Sequence, residues 1–298
     1  GDLGRSRWVT AGGAPLAPCA PQAETPWPEK LAAEFTDVEI GIARTRAEYR
    51  GAPEVDEIEE LFAEHIARAR RFIYAESQYF ASRRIAEAIA RRVAEPDPPE
   101  IVLINPLSAE GWLEQAAMDG ARVRLLHAIA EGDHRRAFRI FVPFAAQGTP
   151  IYVHAKLMIV DDEVLRIGSA NMNNRSMGLD TECDVFIDAA RPGNGHAAEV
   201  ITRIRHRLLA EHCGLEPDQI SALLEEHGSM AAAIDALGAG SSGPAKRLAP
   251  FALRPLTDAE KAVADNALLD PERPSELFEP IGGKRGLFRR GGFLRRPR

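Results

Sequence analysis

Apolar and polar residues alternate along several short stretches of this chain. The clearest surrounds His154: Val153, Ala155, Leu157 and Ile159 are apolar, and His154 and Lys156 fall between them. Residues two apart project from the same face of a strand. The pattern therefore predicts a strand with one face in a core and with His154 and Lys156 sharing the other. Residues 38–43, 72–80, 101–105, 139–143 and 164–167 read as further strands. In one more strand, Thr181, Cys183, Val185 and Ile187 form an apolar face opposite Glu182 and Asp184. Elsewhere the apolar spacing is helical: Val55, Ile58, Phe62, Ile66 and Ala69 predict a helix over 54–69. Ser82 is placed to cap a helix running to Val93, and 110–130 and 196–211 are predicted helical. Two short helices, 218–227 and 229–237, are each followed by glycine (Gly228, Gly238), a stop signal.

This alternation predicts an α/β fold, a mixed β-sheet flanked by helices on both faces, over residues 38–213. A preceding segment, 1–37, reads as the end of an earlier unit and a connector rich in Pro, Ala and Gly. A small helical region follows at 214–238, then a linker and basic, disordered tail over 239–298.

Composition narrows the picture. A hydrophobic content of 45% suits a substantial core. No apolar run approaches the roughly 18 residues of a membrane span, so a cytoplasmic or peripheral membrane location is expected. Cys19, Cys183 and Cys213 give no disulfide framework. The net charge of −7 weighs against a nucleic-acid partner. The charge is uneven: residues 282–298 hold Lys284, Arg285, Arg289, Arg290, Arg295, Arg296 and Arg298 and no acid. Without them, 30 basic residues face 44 acidic ones. With Leu287, Phe288, Phe293 and Leu294 interleaved, that tail suits an anionic membrane surface, each cation contributing about 1 kcal/mol near it, or equally a solvated tail.

The candidate chemistry lies in His154, Lys156 and Asp161, spaced H-x-K-x4-D, followed by Gly168-Ser169-Ala170-Asn171. A lysine beside a core strand is costly unless its charge meets an anion, and its compact ammonium suits a phosphate. Histidine titrates near neutrality, and a neutral imidazole can attack phosphorus to give a phosphohistidine, dividing one displacement into two. A glycine turn followed by Ser169 and Asn171 offers backbone N–H groups and short polar side chains to phosphate oxygens. Asp161, at the strand's end, is expected to make structural hydrogen bonds and not to carry protons. The other seven histidines read as core or surface residues, and His206, His212 and Cys213 fit no ligand spacing, so no metal or cofactor is expected.

Together these residues resemble the catalytic half-motif of the phospholipase D superfamily. The run Phe72-Ile73-Tyr74-Ala75-Glu76-Ser77-Gln78-Tyr79-Phe80 resembles the strand that opens the second catalytic half of bacterial phospholipases D and cardiolipin synthases, where Asn usually stands in place of Ser77. The run from Arg175 to Glu182 is closer to the phospholipases. The resemblance implies His154 as nucleophile, Lys156, Ser169 and Asn171 as a phosphate pocket, and Glu182 as the carboxylate that orients the imidazole. It also implies a second H-x-K half whose histidine protonates the leaving alcohol. No other H-x-K occurs in the chain, so that half is expected upstream in a longer protein or on a partner chain, with upstream favoured. The implied reaction is hydrolysis of glycerophospholipid head groups. The alternatives are phosphatidyl transfer to an alcohol, a single-motif nuclease, and a catalytically incomplete half that binds phosphorylated ligands.

Overall fold

The computed structural model describes residues 2–18, 28, 30–49, 51–110, 115–240, 247–253, 255, 270 and 271. The chain divides into two units, residues 1–36 and 37–298. In the first, helix α1 (Asp2–Thr10) ends in a turn where the Trp8 indole donates to the Ala14 carbonyl.

The second unit is built on one nine-stranded mixed sheet. In chain order its elements are β1 (Gly41–Arg46), β2 (Val55–Asp56), α2 (Glu57–Arg68), β3 (Phe72–Ser77), α3 (Arg83–Val93), β4 (Glu100–Ile104), a π-helical turn (Gln115–Asp119) leading into α4 (Gly120–Ala130), and β5 (Phe138–Phe144). Then come β6 (Lys156–Val160), β7 (Val164–Gly168), α5 (Asn174–Gly178), β8 (Glu182–Asp188), α6 (Ala197–Cys213), α7 (Pro217–His227), α8 (Met230–Gly240) and β9 (Arg247–Pro250). The order across the sheet is β2-β1-β8-β7-β6-β3-β4-β5-β9, with β3, β4 and β5 parallel and the other pairs antiparallel.

The parallel centre is explained by its sequence. Ile73–Ser77 and Ile101–Ile104 are buried throughout, which is what strands covered on both faces require. Between them, α3 presents Ile85, Ala86, Ile89 and Val93 to the core, and burial of each branched side chain contributes about 1.5–3 kcal/mol. Ser82 starts this helix by accepting from the Ile85 N–H. On the same sheet face, α2 packs Ile58, Leu61, Phe62 and Ile66. On the other face α6 contacts β7 and β9, and α8 contacts β4 and β9. Gly214 ends α6 in the left-handed conformation.

Several expectations shift. The first strand starts at Gly41, not at 38, and the expected helix at 54 begins with a short strand, β2. Within the expected 110–130 helix, 115–119 form the π turn and 111–114 lie outside the described residues. The expected break after Cys213 is not a break in the sheet. Arg247–Pro250, expected as linker, pairs antiparallel with β5, and Glu100 of β4 accepts from the start of α8 at Ser229, Met230 and Ala231. Asp270, also from the expected linker, accepts from the Asn174 and Arg175 N–H groups. The basic tail, 282–298, lies outside the described residues. Among the described residues, no helix is long and apolar enough to cross a membrane.

On β8 the expected faces are exchanged at Cys183–Val185, while Ile187 is buried as expected. Asp184 is fully buried, while Cys183 and Val185 are exposed. The reason lies on the neighbouring strand: Arg166, itself buried, donates to Asp184 and sits over the Phe62 ring, 3.8 Å from its centroid. An ion pair thus fills the side of the core that the sequence pattern reserves for apolar residues.

Two predictions follow from this packing. Asp161 and Asp162 turn the β6–β7 hairpin with φ of 56° and 60°, a region Asp tolerates. The Asp161 carboxylate accepts from the Arg70, Arg71 and Phe72 N–H groups at 2.7–2.8 Å, fixing the entry to β3. Asp161→Ala strands those donors and should cost about 3 kcal/mol in urea unfolding, whereas Asp161→Asn should cost about half as much. His65 is buried against Phe186; burial, and then the positive charge of Arg166 and Arg68, push its pKa down to about 4. The unfolded chain takes up this proton below about pH 6.5, but the folded chain does so only near pH 4. Stability is thus intact above pH 6.5 and falls by up to about 3 kcal/mol as pH drops through that window. His65→Leu should flatten this slope in denaturant melts between pH 6.5 and 4.

Candidate active site

Four strand ends converge: the C-terminal ends of β3 and β7 and the N-terminal ends of β6 and β8. Lys156 opens β6 opposite Ser77 of β3, and Ser169 follows β7, with its N–H on the Cys183 carbonyl of β8. His154 lies two residues ahead of β6 and is exposed.

Lys156 is half-buried, and its ammonium donates to the Gln78 Oε1 at 3.0 Å and to the His154 carbonyl at 2.8 Å. Burial pushes its pKa below the usual lysine range, while the nearby Glu182 carboxylate draws it back up. The Asn171 amide donates to the same Gln78 oxygen at 3.4 Å, and its own Oδ1 is buried with no hydrogen-bond partner. Lysine and asparagine donors thus converge on one acceptor. A phosphoryl oxygen placed there would meet the same two donors.

Glu182 has different partners from those expected. One carboxylate oxygen accepts from the Ser169 hydroxyl and the other from the Ser176 hydroxyl at 2.7 Å; the His154 imidazole is not among its partners. The Ser hydroxyls are reached within the same turn, whereas His154 stands exposed on the entry segment. Ser176 Oγ also accepts from the Asn171 N–H, so one hydroxyl links the carboxylate to the turn that carries the pocket.

The turn itself is held from below. The Asp184 carboxylate accepts from the Ala170 N–H at 3.1 Å, and Arg166 donates to the Ala170 carbonyl at 3.3 Å. A Cβ at Gly168 would lie 1.8 Å from Asp184 Oδ1, so only glycine fits between turn and ion pair. The Ser77 hydroxyl accepts from the Met172 N–H and donates to the Tyr79 carbonyl, latching the turn to the end of β3.

The structure thus brings Lys156, Ser169, Asn171 and Glu182 together, with His154 at the rim. Asp161 is not part of the cluster. It lies at the far end of β6, five residues or roughly 16 Å away along the strand. Of the other histidines, His212 meets Glu76 at 3.2 Å, and Glu76 also accepts from the Tyr74 hydroxyl, a buried link between α6 and β3. The sequence reading missed Gln78, Tyr152 and Ser176. Gln78 carried a faint signal: Tyr74, Glu76 and Gln78 form the polar rank of a strand otherwise made of small and apolar residues.

The Phospholipase D family model matches residues 136–231, which include β6, the turn and β8. Over that stretch the chain is similar to the phospholipase D family. Over 231 residues it is 26% identical to phospholipase D zeta 1 of Arabidopsis thaliana, covering 59% of this chain and 21% of that protein. Over 75 residues it is 41% identical to phospholipase D alpha 1 of Spuriopimpinella brachycarpa, covering 24% of this chain and 9% of that protein. The chain therefore spans about a fifth or less of the length of these relatives. Among solved structures, the phospholipase D family member Nuc from Salmonella typhimurium aligns with a TM-score of 0.40 at 14% identity, over 57% of this chain and 93% of Nuc.

Ser176→Ala removes a hydrogen bond from Glu182 and leaves the Asn171 N–H unpaired. Affinity for orthovanadate, measured by calorimetry, should fall roughly five- to tenfold, corresponding to about 1–1.4 kcal/mol.

Proposed function

We propose that this chain supplies the nucleophile's half of a phospholipase D-type phosphodiesterase acting on glycerophospholipids. The observation that carries the reading is the convergence of the Lys156 ammonium and the Asn171 amide on one point, beside Ser169 and below His154. In the proposed reaction a phosphodiester oxygen takes the place of the Gln78 carbonyl against these donors. A neutral His154 nitrogen forms a bond to phosphorus as the bond to the head-group oxygen breaks. The leaving alcohol takes a proton from an acid outside this chain. Water then attacks the phosphohistidine, gives its proton to the same group, and phosphatidate is released. Positioning and charge neutralisation carry most of such a displacement. Lys156 is suited to neutralise the phosphoryl oxygens because it is already partly desolvated, which strengthens its field. Glu182 positions the Ser169 and Ser176 hydroxyls.

The acid is proposed to come from a second catalytic half. Beside the site, Ile42, Val185 and Ile167 stand in register across β1, β8 and β7, and are 64%, 42% and 46% exposed. A contiguous apolar row of this kind suits an interaction surface. Its continuity along the strands with Cys183 supports a covering half on this part of the sheet. Phospholipid is the proposed substrate, and an anionic membrane the proposed surface for the 282–298 tail.

A nitrophenolate leaves without a proton donor, so a half-site should still be able to take the first step. Mixed with 4-nitrophenyl phosphocholine, the chain should release a burst of about one equivalent of nitrophenolate and hold an acid-labile phosphorylated histidine. His154→Asn should abolish both. A burst that survives this substitution, or no burst at all, rules the reading out.

A further inference from the structure

We propose that Gln78 is the positioning residue of this site. Its amide holds Lys156 and Asn171 in the arrangement that receives phosphate and ties both to the segment carrying His154. The inference rests on the phosphodiesterase reading above.

The Gln78 amide has four hydrogen-bonding capacities, and all four are used. Its Oε1 accepts from Lys156 Nζ at 3.0 Å and from Asn171 Nδ2 at 3.4 Å. Its Nε2 donates to the Tyr79 hydroxyl at 3.0 Å and to the Tyr152 hydroxyl at 2.8 Å. The orientation is therefore determined. Turning the amide over would set its NH2 against the Lys156 ammonium, which can only donate. Each partner belongs to a different piece of the site. Lys156 opens β6, Asn171 lies in the turn after β7, and Tyr152 sits two residues before His154. One side chain just after β3 thus adds side-chain links between the start of β6, the turn after β7 and the segment leading to His154. The base beneath it is firm: Asn105 donates to the Ser77 carbonyl at 2.7 Å, and Arg122 donates to Asn105 and to the Pro106 carbonyl.

The arrangement gives a partly desolvated lysine a neutral acceptor. The Gln78 carbonyl is a neutral stand-in for a phosphoryl oxygen. It satisfies the ammonium, and it is readily displaced because an amide oxygen attracts a cation less than a phosphate does. A carboxylate in its place would hold Lys156 too tightly for phosphate to compete.

The chain makes the test clean, since Lys156 is the only lysine between Lys30 and Lys246. The full chain labelled with 13C at the lysine ε-carbon is titrated by NMR, with orthovanadate affinity measured on the same samples. Gln78→Leu removes the acceptor but leaves the desolvation, so Lys156 should lose its proton at lower pH. Vanadate affinity should fall about tenfold. Gln78→Glu, of nearly the same shape, should shift the titration to higher pH and also weaken vanadate. Shifts in opposite directions from two substitutions at one position are not produced by a loss of packing, and thermal melts of both variants register any such loss separately. The proposal is overturned if Gln78→Leu, still folded, leaves the Lys156 titration and vanadate affinity unchanged, or if both variants shift the titration the same way. The lysine titration needs no turnover, so it separates failure of this inference from failure of the nitrophenolate burst, which bears on the phosphodiesterase reading alone.

Discussion

The buried pair of Arg166 and Asp184 governs how the rest of this site is arranged. Both side chains are essentially inaccessible to water, and burial lowers the arginine's pKa while the carboxylate beside it works against that loss. Such a pair need not add to net stability, because desolvation of two charges offsets much of their attraction. What it provides is direction. Arg166 is fixed on one side by the Phe62 ring, and Asp184 is fixed by Arg166. The free capacity of both then falls on Ala170, which sets the height and angle of the turn carrying Ser169 and Asn171. Removing either partner alone would strand a charge in the core.

Above that base the site uses small, local contacts at strand ends. Sheet hydrogen bonds place Lys156 beside Ser77 and Ser169 beside Cys183. The side chains then need only short reaches to converge, and Gln78, Ser77 and Ser176 make the cross-links. A site of this type suits phosphoryl chemistry, where fixed charge and position matter more than a chain of proton carriers. The half-buried lysine is the feature with most electrostatic leverage, because the field of a charge strengthens as water is excluded from around it.

Much of the sheet was legible in the sequence because its strands are short, apolar and separated by helices with ordinary caps. Ser82 and Gly214 acted as their local chemistry predicts. The misreadings each involve a distant partner. Alternation put Val185 inside and Asp184 outside, yet Arg166 across the ladder draws Asp184 into the core and leaves Val185 exposed. Alternation also put His154 on β6, but pairing with β3 begins only at Lys156. The strand β9 carries a Pro-rich context that reads as linker, and it is a strand only because the edge of β5 accepts it.

The sequence by itself set out the candidate chemistry of this protein: a histidine of the type that can attack, a cation two residues on, and the glycine turn that follows. These rest on residue type and on spacings short enough for one strand or one turn to enforce. Tertiary structure decided which of those residues meet. It separated Asp161 from the cluster, gave Glu182 to Ser169 and Ser176, and brought in Gln78, which lies 78 residues from Lys156 along the chain. Contacts at such separations are set by strand order and register, and no local pattern of residues encodes them.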